Sequence, residues 1–341
     1  MMKKIRIEDA VGMLLGHDVT QIIPGQFKGP RFKRGHLIRE EDIPEFLKIG
    51  KKHVFVMELK PGIIHEDEAA LRLGRAFSGE NIDITGPSEG KVTLHSRVNG
   101  ILKINLSLLN RINLSGNIIL STLHRYTPCK PEMAIGATRI ISLTTLERQI
   151  EKVENWCKKY GPVIEIFPYR TLDVGVVVTG NEFFHGRTED RFDDRVGKKI
   201  VGFGSRVVKK RIVPDDIFQI SNALSELKDE PVDLILVTGG LSVDPDDVTR
   251  AGVKKAGTRI IFYGTPILPG AMFLYGMLGK KPVLGLPACV FHHNATLFDL
   301  VFPRILAGET LKRREISLLG HGGYCRNCDP CHYPICPFGK G

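Results

Sequence analysis

Val232-Asp233-Leu234-Ile235-Leu236-Val237-Thr238-Gly239-Gly240-Leu241-Ser242-Val243-Asp244-Pro245-Asp246-Asp247-Val248-Thr249 begins as a short apolar run rich in β-branched residues. Its length is that of a buried strand. The run ends in Thr-Gly-Gly, where the backbone can turn sharply and take positive φ. A Ser and several carboxylates follow, and a helical pattern opens at Asp246 or Asp247. In open α/β sheets a ligand sits at the carboxyl end of a strand, facing a helix N-terminus. Glycines admit the ligand to the backbone, and free N–H groups there favour an anionic group such as phosphate.

A second loop of the same kind lies upstream. Val174-Gly175-Val176-Val177-Val178 is a buried-strand run that ends in Thr179-Gly180-Asn181-Glu182. A third small-residue loop, Pro269-Gly270-Ala271, precedes an apolar segment. Right-handed crossovers bring the carboxyl ends of parallel strands to one edge, so the three loops can line one crevice. Backbone N–H groups of Gly180, Asn181, Gly239, Gly240 and Gly270 would hold phosphate. Thr179, Thr238 and Ser242 would donate hydrogen bonds. Glu182 and Asp247 are the expected catalytic residues, able to hold a divalent cation such as Mg2+ through oxygen ligands. The cation would face the phosphate, with electrostatic stabilisation as the main catalytic effect.

Around this region the chain alternates strand and helix. Asp215 or Asp216 caps a helix whose apolar face is Ile217, Ile220, Leu224 and Leu227. Further strands are expected at Arg259–Phe262 and Pro282–Pro287, and a last helix over 293–306. The expected class is α/β: a parallel sheet with helices on both faces over 171–310. A segment over 1–60 and a β-rich region over 61–170 precede it, and a short cysteine-rich tail over 311–341 follows. In the β-rich region Asn99-Gly100 reads as a hairpin turn.

Seen whole, the chain has 341 residues, 42% of them hydrophobic and 25% charged, enough for two domains with real cores. The formal net charge of +10 attracts anions. Basic residues cluster at 28–39 and 195–211 without interleaved aromatics, which ranks a phosphorylated small molecule above nucleic acid. The first eight residues carry no apolar core after their lysines, and no apolar run has the length of a membrane span. A cytoplasmic protein without a membrane partner is expected.

The matching loops make the resemblance specific. Val-Val-Val-Thr-Gly-Asn-Glu at 176–182, Val-Thr-Gly-Gly-Leu-Ser-Val at 237–243, Asp247-Val248-Thr249 and Pro269-Gly270 resemble the molybdopterin-binding domain shared by molybdopterin adenylyltransferases and molybdotransferases. Residues 5–57 resemble the N-terminal part of the molybdotransferases more faintly. The resemblance implies binding of molybdopterin, a pterin dithiolene phosphate, or of its adenylylated form. It implies work in making, inserting or handling the molybdenum cofactor, with a molybdoenzyme as partner. A homo-oligomer is expected, and a non-catalytic carrier or redox sensor is the alternative. Three loops depart from the family pattern. Asn181 stands where Asp is usual, Ala271 follows Pro269-Gly270 where Lys is usual, and Ala288-Cys289-Val290 replaces Gly-Asn-Pro.

Seven cysteines in a cytoplasmic chain do not suggest a disulfide framework. Four crowd the end as Cys325-x2-Cys328-x2-Cys331-x4-Cys336-Pro337. Thiolates at this spacing can converge on one metal centre. An iron–sulfur cluster is favoured over Zn2+, because cluster motifs run Cys-x2-Cys-x2-Cys-x3-Cys-Pro and this run has one residue more. Cys129, Cys157 and Cys289 are expected to be buried structural thiols.

Overall fold

The computed structural model describes residues 2–23, 27–57 and 61–340. The chain divides into two compact units. One holds the described residues of 1–98, 103–123 and 130–166; the other holds 99–102, 124–129 and 167–340.

The second unit is built on six strands: β1 (Asp173–Thr179), β2 (Arg206–Val213), β3 (Leu234–Thr238), β4 (Arg259–Tyr263), β5 (Leu274–Leu278) and β6 (Lys281–Leu286). Their order is β2-β1-β3-β6-β5-β4. The pairs β1–β2, β1–β3 and β3–β6 are parallel. The sheet is nevertheless mixed, which corrects the expected all-parallel arrangement. β5 runs against both β6 and β4. The cause is local: Leu278 pairs with Lys281, so Gly279 and Lys280 form a two-residue hairpin turn, with Gly279 at φ 61. The apolar segment after Pro269-Gly270 is thus a strand of the same sheet.

The runs of Val, Ile and Leu are continuous because both faces of the sheet are covered. Val174, Val176, Val178, Leu234 and Leu236 join one core cluster, and Val177, Ile235 and Val237 join another. Helix α1 (Ile217–Asp229) covers the second face with Ile220, Ala223, Leu224 and Leu227. Its N-cap is Asp216, whose carboxylate accepts from the N–H groups of Phe218 and Gln219. Helix α2 (Thr249–Lys255) adds Val253 to that face. Helix α3 (Leu297–Leu306) covers the first face and starts at a Thr296–Asp299 capping box, later than the expected 293. The cysteine-rich tail folds into this unit, where Cys325 and Phe338 are buried in the first core.

In the first unit Met2–Arg6 pairs antiparallel with His53–Met57 over a small core that includes stacked Phe32 and Phe46. A four-stranded antiparallel sheet (Ile82–Ser88, Lys91–Ser96, Ala134–Ile140, Ile118–Thr122) packs on the helix Glu66–Phe77, which buries Ala69, Leu73 and Phe77. Asn99-Gly100 does not close a hairpin. The strand Gly100–Ile104 pairs with Pro128–Cys129, not with Lys91–Ser96. Among the described residues no helix is long and apolar enough to cross a membrane.

Candidate functional site

The register sets Val178 opposite Thr238 and Thr238 opposite Leu286, so β1, β3 and β6 end level at one rim. The first two loops meet there at backbone contact. Gly239 (φ 91) and Gly240 (φ 54) are required twice over. Their φ disfavours any side chain, and an added Cβ would run into the Thr179 carbonyl at 239 or the Thr249 hydroxyl at 240. The Thr179 hydroxyl donates to the Thr238 carbonyl (3.1 Å) and lies 3.0 Å from the Thr249 hydroxyl. Thr179, Thr238 and Thr249 are all fully buried. Thr179 thus clasps the two loops, and its hydroxyl also hydrogen-bonds the Asp215 carboxylate of the site. The Thr238 hydroxyl is buried without a partner among the described residues.

Acidic groups line the first end of the rim. Asn181 N–H donates to Asp215 Oδ2 (3.0 Å), and Asp215 N–H donates to Asn181 Oδ1 (3.3 Å). Burial pushes the Asp215 carboxyl above the usual carboxylate range, opposed by the Asn181 N–H and reinforced by the charges of Glu182 and Asp247. Asp215 therefore shares the site with both expected carboxylates. Sequence reasoning placed it only as an alternative helix cap, a role that Asp216 fills. Glu182 is exposed and Asp247 half-buried, while Ser242 is exposed on the glycine loop. Among the described residues no three His, Cys, Asp or Glu side chains are grouped to hold a metal by themselves.

The third loop is fixed by the main chain. Pro269 and Gly270 are buried, and the Pro269 carbonyl accepts from Leu297 N–H (3.1 Å) at the start of α3. Tyr263, at the end of β4, joins this loop to the glycine loop. Its hydroxyl donates to the Leu241 carbonyl (2.6 Å) and lies 3.5 Å from Met272 Sδ. The Arg250 guanidinium stands 4.8 Å over the Tyr263 ring, and Arg313 donates to the Tyr263 carbonyl (3.2 Å). The tail completes the wall. Leu268 N–H donates to the Gly323 carbonyl (2.9 Å), and Cys325 N–H donates to the Leu268 carbonyl (2.8 Å).

The four tail thiols do not form one ligand set. Cys325 is buried beside the third loop, and Cys331 and Cys336 pack against the core together with Tyr333. Backbone pairing with Leu268 holds Cys325 in place, and Cys336 N–H bonds the His332 carbonyl within a turn. Among the described residues no three of these thiols are grouped as ligands of one centre. Of the other cysteines, Cys129 and Cys157 are buried as expected, whereas Cys289 lines a pocket.

Residues 175–307 match the family described as a probable molybdopterin binding domain. Residues 4–58 match a family described only as a domain of unknown function. The molybdopterin molybdenumtransferase of Haemophilus influenzae is 29% identical over 150 residues, 42% of this chain and 37% of that protein. A CinA-like protein of Citrifermentans bemidjiense is 36% identical over 90 residues, 26% of this chain and 22% of that protein. The chain thus spans well under half the length of these relatives. Among solved structures, the molybdopterin biosynthesis enzyme MoaB of Thermus thermophilus aligns with 42% of this chain and 100% of its own at 20% identity, with a TM-score of 0.33.

Proposed function

We propose, from the membership of residues 175–307 in the molybdopterin-binding domain family, that this protein binds molybdopterin or its adenylylated form and acts in molybdenum cofactor biosynthesis. The observation that supports this most is the meeting of the two glycine loops at one rim. There the Gly239–Gly240 turn packs closely against Thr179 and Thr249, beside Glu182, Asp215 and Asp247. Phosphate would lie against the N–H groups of the 239–242 loop, with Ser242 as a hydroxyl donor.

The donor set suits Mg2+, which keeps several waters and takes one or two carboxylates plus substrate phosphate. Glu182 and Asp247 would hold it, and it would neutralise charge on the phosphate. The remaining work falls to the chain. Asp215 fixes the first loop through Asn181, and the Thr179 clasp holds the second loop against it. Arg250, poised over Tyr263, supplies a positive charge near the loop where Ala271 stands in place of Lys.

A carrier without turnover is the second reading. It is favoured by Asn181, where a carboxylate is usual and where the amide is spent on the Asp215 backbone. Direct binding of molybdopterin under anaerobic conditions tests the main reading. Wild type should bind, and absence of binding would remove it. Asp247→Ala separates the two readings: an enzyme loses turnover with its fold intact, whereas a carrier only changes affinity.

A further inference from the structure

A pocket of about 360 Å³ opens beside the third loop, outside the Gly239–Gly240 turn. Its size is that of a small-molecule site. Three segments form it: the loop at 268–272, the Pro287–Cys289 turn with His293, and Tyr324, Cys325 and Asn327 of the tail. The tail residues lie beyond the family match at 175–307. They are held in place by the two backbone hydrogen bonds between Leu268 and the Gly323–Cys325 segment.

The walls are apolar, from Pro269, Met272 and Pro287, and Tyr324 stands at the rim 74% exposed. The polar groups are few and paired. His293 Nδ1–H donates to Asn327 Oδ1 at 3.0 Å. That bond leaves the Asn327 amide N–H groups as donors and the His293 Nε2 as an acceptor. Burial pushes the Cys289 thiol up to about 11, so it stays neutral and offers no charge. A flat, uncharged ring with alternating donors and acceptors along one edge matches this lining. The pocket also explains one departure from the family pattern. Cys289 occupies the position where the loop usually carries Asn, and Asn327 of the tail returns an amide to the same cavity.

We propose that this pocket takes the fused heteroaromatic ring of the ligand, with Asn327 and His293 reading its polar edge and Tyr324 stacking on its face. The inference rests on the molybdopterin-binding reading for the identity of the ring as a pterin. Met272 lines the pocket and lies 3.5 Å from the Tyr263 hydroxyl, which also bonds the Leu241 carbonyl of the glycine loop that would hold the phosphate.

The test uses the full chain and two phosphate-free probes, 6-hydroxymethylpterin followed by its fluorescence and adenosine as competitor. Wild type is expected to bind the pterin. Tyr324→Ala and Asn327→Ala should each weaken it about tenfold, the scale of one lost stacking or hydrogen-bonding contact. Tyr324→Phe should bind as wild type does. Displacement by adenosine at lower concentration than pterin assigns the pocket to the purine of the adenylylated ligand and keeps the ring assignment. Wild-type failure to bind either probe overturns the proposal, as does equal binding by Tyr324→Ala and Asn327→Ala. Pterin binding without molybdopterin binding would sink the proposed function alone. Molybdopterin binding untouched by Asn327→Ala would sink this pocket alone.

Discussion

The hydroxyl oxygens of Thr179 and Thr249 lie 3.0 Å apart, although the two residues are 70 positions apart in the chain. The Thr179 hydroxyl also lies 3.1 Å from the Thr238 carbonyl, to which it can donate. These contacts join the end of β1, the end of β3 and the start of α2. The glycine loop therefore enters its turn already anchored at both ends, and its backbone is set before a ligand arrives.

Gly239→Ala should break that arrangement. The new Cβ meets the Thr179 carbonyl at a φ that disfavours a side chain, at a cost of about 2–4 kcal/mol. Gly257→Ala is the control. Gly257 has a similar φ of 86 and open space around it, so only the backbone cost of about 1 kcal/mol remains. Urea unfolding midpoints of the two variants measure the difference, which is the contribution of the loop contact.

Arg250→Ala should weaken a phosphorylated ligand about fivefold, near 1 kcal/mol for an exposed charge. The slope of affinity against salt should flatten in the same variant. Affinity for a phosphate-free pterin should not change. Titrations with both ligands at two salt concentrations check all three outcomes.

His65 makes the first unit sensitive to acid. Its Nε2–H donates to the Gly16 carbonyl (2.9 Å), and its Nδ1 accepts from Asp67 N–H at the helix start (3.1 Å). Both ring nitrogens are thus committed to the neutral form. Burial, helped by the nearby Arg34 charge, lowers its pKa to about 4. Between pH 6.5 and about 4 the unfolded chain takes up a proton that the folded chain refuses. Stability should fall as pH drops through that window and stay level above it, by about 3 kcal/mol in all. His65→Gln should start less stable at pH 7 and lose this component of the slope. Urea midpoints from pH 4.5 to 7.5 for both proteins test it.

Arg304 is a buried cation inside α3, only 1% exposed. Its Nε bonds Glu309 (2.6 Å), it pairs with Glu315, and its guanidinium lies 4.1 Å over the Tyr126 ring. Arg304→Met should cost about 3–5 kcal/mol because it removes the buried cation that Glu309 and Glu315 face. Adding Glu315→Gln should recover part of the loss, which a double-mutant cycle in thermal unfolding would show.

The parts of this molecule that were legible in the sequence are those with local causes. Val174–Val178 and Leu234–Val237 read as buried strands because a sheet covered on both faces leaves no polar positions. The Thr-Gly loops read as sharp turns because their glycines take a positive φ where a side chain would clash. Asp215 was ambiguous because it neighbours Asp216, and either carboxylate could cap α1. Tyr263 and the tail were hidden for another reason. The Tyr263–Leu241 bond and the Leu268–Cys325 pairing join positions 22 and 57 residues apart, and no periodicity encodes such contacts. The same holds for the cysteines. Their spacing spoke of a shared metal, while pairing with the third loop pulls Cys325 into the wall of a pocket.

The reversal at Gly279–Lys280 has a practical consequence. The glycine loops open at the carboxyl ends of β1 and β3, whereas this hairpin turns at the amino end of β6, roughly 17 Å away along the strand. A peptide tag inserted between those two residues would let the protein be tethered to a sensor surface by its far side, leaving the mouth of the crevice free to the solution.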